Sequence, residues 1–263
     1  YVACVTASEM PSTFDEEALK AQSVAARTYA MAKILKYDEK RPESHPDAPL
    51  CDTTHCQAYK SEDKLIEIHE DGWEESGFKK VRKACEATEG ELLYYDGELV
   101  TQPLFFSSSG GQTENSEDVF TGAYPYLVSV SSPYEENASH QNEEKEFSLE
   151  EIKTLLAKAY PDRTLVSVSA SSIEIISRTD GGRVEKMQVG EASFKGTEIR
   201  NALGLSSALF SISFSGDGSR IIFTSDGFGH GVGLSQYGAD GMAKEGSGYK
   251  EILSHYYTGT EVH

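Results

Sequence analysis

Cysteine and histidine side chains cluster in one loop-like stretch of this 263-residue chain, residues 37–58. His45, Cys51, His55 and Cys56 all fall within it. Thiolate and imidazole are the ligands that zinc prefers, and four of them close a tetrahedral structural site. We therefore predict a structural zinc ion, with His45 the least secure ligand because prolines flank it. The spacing matches no standard zinc finger, so a Cys51–Cys56 disulfide stays open as the alternative.

The two remaining cysteines, Cys4 and Cys85, stand among apolar residues, where we expect buried thiols or a bonded pair. Two polar, glycine-containing segments follow further along, residues 107–114 and 229–238. Glycine lets a ligand approach the backbone, and hydroxyl and amide groups suit sugar hydroxyls. By composition alone the first segment predicts only a polar loop. The second is not a phosphate-binding loop, because no Lys followed by Ser or Thr completes that motif.

The elements that must position these residues predict an α+β fold. A helix is expected from Asp15 to about Lys36, with alanines along its buried stripe and a Thr13–Glu16 capping box. Further helical patterns cover residues 61–89, 149–160 and the last part of the chain, and Asp96-Gly97 is typical of a hairpin turn. Residues 134–148 indicate a solvated connector. We expect a main domain of residues 1–144 and 216–263, a β-rich module near 145–215, and a substrate cleft between them.

Composition excludes several functional classes. Lys plus Arg number 24 and Asp plus Glu 43, which gives a net charge of −19. Duplex phosphate and anionic lipid would both repel such a chain, so no nucleic-acid partner is expected. No apolar run reaches the length of a membrane span, and the hydrophobic content of 38% is too rich for a disordered chain.

Several segments together resemble the stage II sporulation protein D family in content and order. They are SEMP followed by EALKAQSVAARTYA, then CDTTHCQAY, FFSSSGGQTE, GHGVGLSQYGADGMA and ILSHYYTGTEV, spanning residues 2–262. The resemblance implies a lytic transglycosylase that cuts peptidoglycan during septal wall remodelling and engulfment in sporulation. It also implies an extracytoplasmic protein, anchored in the membrane by an N-terminal segment that we expect outside this sequence. A cell-wall amidase and membrane proteins of the engulfment complex are the implied partners.

Amidase-enhancer proteins are related to this family and share its fold without necessarily sharing its chemistry. A non-catalytic glycan-binding enhancer of a cell-wall amidase is therefore the alternative function.

Lytic cleavage of the MurNAc–GlcNAc bond needs one carboxylic acid and no catalytic cofactor. The acid protonates the glycosidic oxygen and then takes the proton of the sugar's own 6-hydroxyl, which leaves a 1,6-anhydro ring. Glu9 is the predicted acid, because it lies among small and apolar residues before the rigid Pro11; a structural role, as a cap or as a partner of Arg27, is its alternative. Glu17 is the reserve candidate, although the first turn of a helix favours its ionised form. Glu16 is assigned to the capping box.

The resemblance also turns the two polar segments into predicted glycan-binding loops. His230 is expected to orient the acid or a sugar hydroxyl, or else to be a satisfied loop histidine. Glycan without stem peptides carries a lactyl carboxylate on each muramic acid, so we expect a cationic group nearby, with Lys20 and Arg27 as candidates. The predicted glycan-binding residues are Ser107, Ser108, Ser109, Gly110, Gln112, Thr113, His230, Gln236 and Tyr237.

Overall fold

The α+β class is confirmed by a computed structural model that describes residues 1–53 and 55–263. The chain divides into two compact units, Tyr1–Phe105 with Gly238–His263, and Phe106–Tyr237. The predicted module at 145–215 lies inside the second unit, which also takes in residues 106–144 and 216–237. The domain boundaries expected from the sequence stay a prediction.

Helices dominate the first unit. The predicted long helix is confirmed as α2, and its Ala18, Ala21 and Ala25 are fully buried, so that α1, α4 and α9 pack closely against it. Residues 61–89 are helical in three pieces: α3, a π-helical turn at Glu74–Phe78, and α4. The helices are α1 (Val2–Glu9), α2 (Glu16–Lys36), α3 (Glu62–Ile68), α4 (Lys79–Glu86) and α9 (Tyr249–Tyr256).

The start of α2 differs from the sequence prediction. Asp15, not Thr13, is the N-cap, and its carboxylate accepts the backbone N–H of Glu17 at 2.9 Å. The predicted Thr13–Glu16 capping box is therefore wrong. An Asp directly before the first helical turn competes successfully, because a charged acceptor satisfies an orphan N–H and suits the helix macrodipole.

A small antiparallel sheet completes the first unit. The predicted hairpin is confirmed as β1 (Leu93–Tyr95) and β2 (Glu98–Leu99), and β11 (Thr260–Val262) pairs with the other edge of β1. Asp96 and Gly97 both have positive φ, 51° and 79°. Those values are what a two-residue primed turn requires, which explains the Asp-Gly sequence.

The second unit holds two three-stranded antiparallel sheets, ordered β4-β9-β8 and β5-β6-β7, with α6 and α7. Its apolar core includes Ile152 and Leu156 of α6, Met187 of β6 and Phe223 of β9. The elements are α5 (Ser116–Val119), β4 (Glu143–Ser148), α6 (Leu149–Ala159), β5 (Ile173–Arg178), β6 (Val184–Val189), β7 (Ala192–Lys195), α7 (Gly196–Leu203), β8 (Phe210–Phe214), β9 (Arg220–Ser225) and β10 (Leu234–Ser235).

The expected connector at 134–148 is wrong for its second half, which forms β4. The charges at Glu144 and Glu146 lie on the exposed face, while Phe147 packs edge-on against Phe223 at 6.0 Å. Alternation of charged and half-buried residues is a strand pattern even in an acidic segment. The chain enters the second unit within β3 (Phe105–Phe106) and leaves it within α8 (Gln236–Lys244). Among the described residues, no helix has the length and apolarity that a membrane crossing demands.

Candidate functional site

Glu9 is the last residue of α1, not part of a loop as its neighbour Pro11 suggests. Its side chain is half-buried, and its Oε1 accepts the backbone N–H of Ala58 at 2.6 Å. Directly beside it, Ser8 Oγ accepts the backbone N–H of Lys60 at 3.1 Å. A charge-assisted bond from a backbone amide is short and directional, so Ala58 fixes where the Glu9 carboxylate lies.

The segment that bonds to Glu9, residues 57–60, is itself anchored by contacts with α2 and Tyr1. Gln57 is 2% exposed, and its amide donates to Tyr1 Oη at 2.9 Å and to the carbonyl of Ala26 in α2 at 3.3 Å. The rings of Tyr1 and Tyr59 stack with centroids 5.5 Å apart. Residues 57–60 thus run along α1 directly after the cysteine and histidine loop, so that the end of this loop positions Glu9.

The reserve acid, Glu17, has the contacts of a structural residue. Its Oε1 accepts Lys20 Nζ at 2.6 Å, and its Oε2 accepts the backbone N–H of Tyr249, the first residue of α9, at 2.8 Å. Glu17 therefore ties α2 to the start of α9 within the first unit. Its neighbour Glu16 pairs with Lys83 and Lys20, and the hydrogen bond from Lys83 lowers the Glu16 pKa.

Neither cation proposed for the lactyl carboxylate is held ready for a ligand. Lys20 is occupied by Glu17 and Glu16. Arg27 donates to two backbone carbonyls, Glu91 at 3.1 Å and Cys85 at 3.0 Å, and these contacts rather than an ion pair with Glu9 hold its guanidinium. Sequence patterns do not reveal these contacts, because the acceptors are main-chain atoms 64 and 58 residues away along the chain.

The four predicted metal ligands come together. One ligand atom from each of His45, Cys51, His55 and Cys56 lies within 4.8 Å of the others. Cys56 Sγ is 3.3 Å from His45 Nε2, and His55 Nδ1 is 3.7 Å from both sulfur atoms. Tetrahedral zinc with bonds of about 2.3 Å to sulfur and about 2.0–2.1 Å to nitrogen separates its ligand atoms by about 3.3–3.8 Å. Three of the pairs, at 3.3–3.7 Å, have the spacing of such a site, while the full set of four spreads over 4.8 Å.

Contacts of His45 and Cys51 suit these two residues to metal binding, whereas burial raises the pKa of the Cys56 thiol. His45 Nδ1 lies 2.8 Å from the carbonyl of Ala48, a contact that leaves Nε2 as the free acceptor facing the cluster. Burial raises the pKa of the Cys51 thiol, but hydrogen bonds from Thr53 and His55 outweigh it and bring the value down to about 6. All four cysteines are free thiols, Cys4 and Cys85 being half-buried and unpaired with each other. Thr54, inside this loop, lies outside the described residues.

Three of the six predicted glycan contacts in residues 107–113 are buried within the second unit. Ser108 and Ser109 are fully buried and Thr113 is 1% exposed, while Ser107, Gly110 and Gln112 are partly exposed. Thr113 Oγ1 and the backbone of Val130 exchange two hydrogen bonds, at 2.8 and 3.3 Å. These contacts shape the loop backbone, and glycan binding by its residues stays a prediction.

A buried carboxylate organises this loop, and sequence reasoning missed it. Glu135 is 6% exposed. Its Oε2 accepts the backbone N–H groups of Ser109 at 2.8 Å and Gly110 at 3.1 Å, and its Oε1 accepts the hydroxyls of Ser109 at 3.0 Å, Ser132 at 2.6 Å and Ser235. Five donors satisfy one charge, which is how a carboxylate becomes tolerable in an interior.

Arg183, which directly precedes β6, is a second residue that sequence reasoning missed, and it also holds the 107–113 loop. It is 2% exposed and donates to the carbonyls of Ser109 at 3.0 Å and Gln112 at 3.1 Å, and it pairs with Glu114 at 3.3 Å. Burial raises the pKa of Glu114 and lowers that of Arg183, and their mutual attraction opposes both effects. Gly231 (φ 89°) passes so close that a Cβ there would lie 2.4 Å from the guanidinium carbon. This approach explains a glycine in the second loop.

The other predicted glycan residues lie in or beside that second loop. His230 Nδ1 accepts the backbone N–H of Val232 at 3.1 Å, and its ring lies 5.5 Å from Phe106 and 5.3 Å from Phe120. Gln236 is 5% exposed, and Tyr237 is partly exposed with its backbone N–H bonded to the carbonyl of Ser107 at 3.0 Å. The aromatic contacts of His230 fit the simpler interpretation of a satisfied loop histidine, and its catalytic role stays a prediction.

Comparison with known proteins gives this arrangement a context. Residues 1–95 match the family model described as Stage II sporulation protein, and residues 125–233 match a domain of unknown function, DUF8618. The chain is 38% identical over its whole length to Stage II sporulation protein D of Bacillus subtilis, of which it covers 73%. The corresponding protein of Bacillus amyloliquefaciens is 37% identical, also with 73% covered.

A more distant relative is the Amidase enhancer of Bacillus subtilis, 28% identical over 98% of this chain and covering 39% of that protein. The resemblance that the motifs suggested is therefore confirmed by similarity along the full sequence. The chain belongs to the stage II sporulation protein D family.

Proposed function

We propose that the protein is a peptidoglycan lytic transglycosylase with Glu9 as its single acid and base. A sporulation role at the cell wall is supported by the family to which the chain belongs and by its likeness to an amidase enhancer. The lytic step itself rests on one observation, the half-buried Glu9 carboxylate fixed by the Ala58 N–H at 2.6 Å. The loops at 107–113 and 229–237 are the proposed glycan contacts.

The proposed chemistry uses one carboxyl group twice. Protonated Glu9 donates to the oxygen of the MurNAc–GlcNAc bond, and the bond from that oxygen to the anomeric carbon breaks. The resulting carboxylate removes the proton of the muramic 6-hydroxyl, whose oxygen attacks the anomeric carbon and closes the 1,6-anhydro ring. Because no water is activated, a second carboxylate is unnecessary. The proposed reaction therefore needs one fixed carboxyl group and no second one.

We further propose that His45, Cys51, His55 and Cys56 hold one structural zinc ion. When bound, zinc supplies a cross-link for a loop that has little hydrophobic content of its own, and four protein ligands leave it no open position. Cys56 is the last of the four ligands, and residues 57–60 continue from it along α1, where Ala58 bonds to the Glu9 carboxylate. Metal binding thus positions Glu9 without taking part in the reaction.

The test of the lytic function compares two glutamates of the first unit. Glycan strands without stem peptides are incubated with wild-type protein, with Glu9→Gln and with Glu17→Gln, and mass spectrometry measures 1,6-anhydro ends. Glu9→Gln is expected to remain folded and to form no anhydro product. Glu17→Gln, which loses a link to Lys20 and to α9 but no reacting group, is expected to retain product formation. Loss of product in Glu17→Gln alone, with its fold intact, would reassign the acid.

The alternative function is a glycan-binding enhancer of a cell-wall amidase, favoured by the 28% identity to the Amidase enhancer. Wild-type protein that binds glycan, forms no anhydro ends and accelerates a purified amidase would establish it. In either case we propose an extracytoplasmic protein that works beside an amidase and membrane-bound engulfment proteins. The amidase removes the stem peptides, and the glycan that remains is the substrate or ligand.

A further inference from the structure

A pocket of about 450 Å³ opens in the second unit beside the 107–113 loop. Its volume is within the range of small-ligand sites. The pocket is lined by Phe228, His140 and Ser206 together with residues of α7 and β4. The backbones of Phe228 and Ser108 pair through two hydrogen bonds, at 2.9 and 3.2 Å. The pocket is therefore built onto the loop for which glycan contact is proposed.

Arg200 of α7 gives the pocket an unusual charge. Its Nε donates to the carbonyl of Ser206 at 3.2 Å, while neither terminal nitrogen has an acceptor in the described part of the chain. Its side chain is partly buried, and burial, followed by the nearby positive charge of Arg183, lowers its pKa. A half-buried guanidinium without a carboxylate partner is costly, and two free N–H edges match a carboxylate in a fork geometry.

A second cation and an amide accompany Arg200. Lys145 of β4 lines the pocket with its ammonium bonded to the carbonyl of Gly204, and Asn201 is exposed beside it. The single carboxylate of the lining, Glu143, is already engaged by His140 at 2.7 Å and by the hydroxyl of Ser206. The lining therefore carries two cations against one paired anion, in a chain whose net charge is −19.

An aromatic face completes the pocket. Phe228 is 43% exposed, and its ring lies 4.5 Å from that of His140 at 34°. His140 has a positive φ of 64°, and its carbonyl accepts the N–H of Gly227 at 2.9 Å, which fixes its backbone beside the residue that precedes Phe228. Exposed aromatic rings offer an apolar face to the C–H side of a sugar, while the cations beside them suit an acidic substituent.

We propose that Arg200, Lys145 and Phe228 form a subsite for a sugar that bears a free carboxylate, namely a muramic acid residue with an unsubstituted lactyl group. The inference rests on the proposed glycan function and makes it specific, because a lactyl group still linked to a stem peptide has no carboxylate to offer. The subsite would therefore select glycan from which the peptides have been removed. It also replaces Lys20 and Arg27, which are engaged elsewhere.

The experiment measures binding by titration calorimetry, with the full chain carrying Glu9→Gln as a non-cleaving parent. The probes are peptide-free (GlcNAc–MurNAc)₂ and the same tetrasaccharide with its lactyl carboxylates converted to amides. Three further substitutions are made in this parent: Arg200→Gln, Lys145→Gln, and Lys158→Gln as a control on an exposed lysine of α6 in the same unit. Near-ultraviolet circular dichroism verifies the fold of each protein.

The parent is expected to bind the acid at least about tenfold more tightly than the amide, the range of a charge-assisted bidentate contact. Arg200→Gln should remove this preference, Lys145→Gln should reduce it, and Lys158→Gln should leave it unchanged. Lys145 bonds to the carbonyl of Gly204 and lies on β4, outside α7, so its substitution gives an answer even where Arg200→Gln disturbs α7.

Equal affinity of the parent for acid and amide would overturn the subsite, as would a preference that survives both substitutions. Failure of the parent to bind either tetrasaccharide would remove the glycan function and the subsite together. Anhydro product from wild-type protein, combined with no preference for the acid, would retain the function and reject the subsite alone. The two proposals therefore fail in distinguishable ways.

Discussion

Glu135 provides a sharp test of how the 107–113 loop is held in shape. Replacing it with Gln keeps the shape of the side chain and removes the charge. One amide oxygen can still accept the N–H groups of Ser109 and Gly110, and two of the three hydroxyls can rotate to accept the two N–H protons of the new NH₂ group. The substitution therefore isolates the contribution of charge, whereas Glu135→Ala also leaves two buried N–H groups without an acceptor.

The expected magnitude follows from the number and kind of bonds. A hydrogen bond to a charged group contributes about 1.5–3 kcal/mol and a neutral one about 0.5–1.5 kcal/mol, while burial of the charge offsets part of the difference. For five bonds that share one carboxylate we expect Glu135→Gln to cost about 2 kcal/mol. Glu135→Ala should cost about 4 kcal/mol, because each orphaned buried N–H adds about 1–3 kcal/mol.

Hydrogen exchange of the Ser109 and Gly110 amides is the direct assay, with thermal unfolding beside it. A loss of 2 kcal/mol corresponds to exchange roughly thirtyfold faster where local opening governs it. The matched control is Glu136→Gln, the exposed neighbouring glutamate, for which we expect a change within about 0.5 kcal/mol. If Glu135→Gln exchanges and melts like Glu136→Gln, the carboxylate does not hold the loop and the reasoning is refuted.

Two further predictions concern the metal loop and one pH-dependent ion pair. Wild-type protein should carry about one zinc per chain by elemental analysis, and a chelator should lower its melting temperature. Cys51→Ser should have the low melting temperature with or without the chelator. Protein that contains no metal and has a Cys51–Cys56 disulfide would contradict this prediction. Glu198 accepts two hydrogen bonds from Arg163, at 2.6 and 2.7 Å, and these bonds lower the pKa of the Glu198 carboxyl in the folded protein. The ion pair therefore contributes its full stability above the unfolded pKa of about 4.5, and this contribution is lost as the pH falls through the lower, folded-state pKa of Glu198. Urea unfolding should therefore show Glu198→Gln less stable by about 1–3 kcal/mol at pH 7 and the difference shrinking in acid; an equal difference at all pH values would contradict the assignment.

Local patterns predicted local structure well. The long helix α2 follows from an alanine-rich stripe, and the β1–β2 hairpin from Asp96-Gly97, because both signals lie within the element that they specify. The clustering of Cys51, His55 and Cys56 was accessible for the same reason, since they stand in one short loop. The loop expected around Glu9 is wrong: Pro11 suggests a loop, yet a proline two residues after a helix is also a normal stop signal.

Contacts that join distant parts of the chain could not be predicted in this way. Glu135 lies in an acidic, polar stretch that indicates solvent, and its partners Ser109 and Ser235 are 26 and 100 residues away. Arg183 is likewise 69 residues from Glu114. A buried charge and an exposed one have the same letter in the sequence, and only the fold decides which of them has donors around it.

The same limit applies to the cation expected near the lactyl carboxylate. Lys20 and Arg27 lie on α2, and residues on an amphipathic helix meet their own helix neighbours and adjacent main chain first. Within residues 1–53 and 55–263, Arg200 meets no carboxylate, and its neighbours in space are the carbonyl of Ser206 and the positive charge of Arg183. In an acidic protein, an arginine left without a carboxylate is therefore better evidence of an anionic ligand than an arginine close in sequence to the proposed acid.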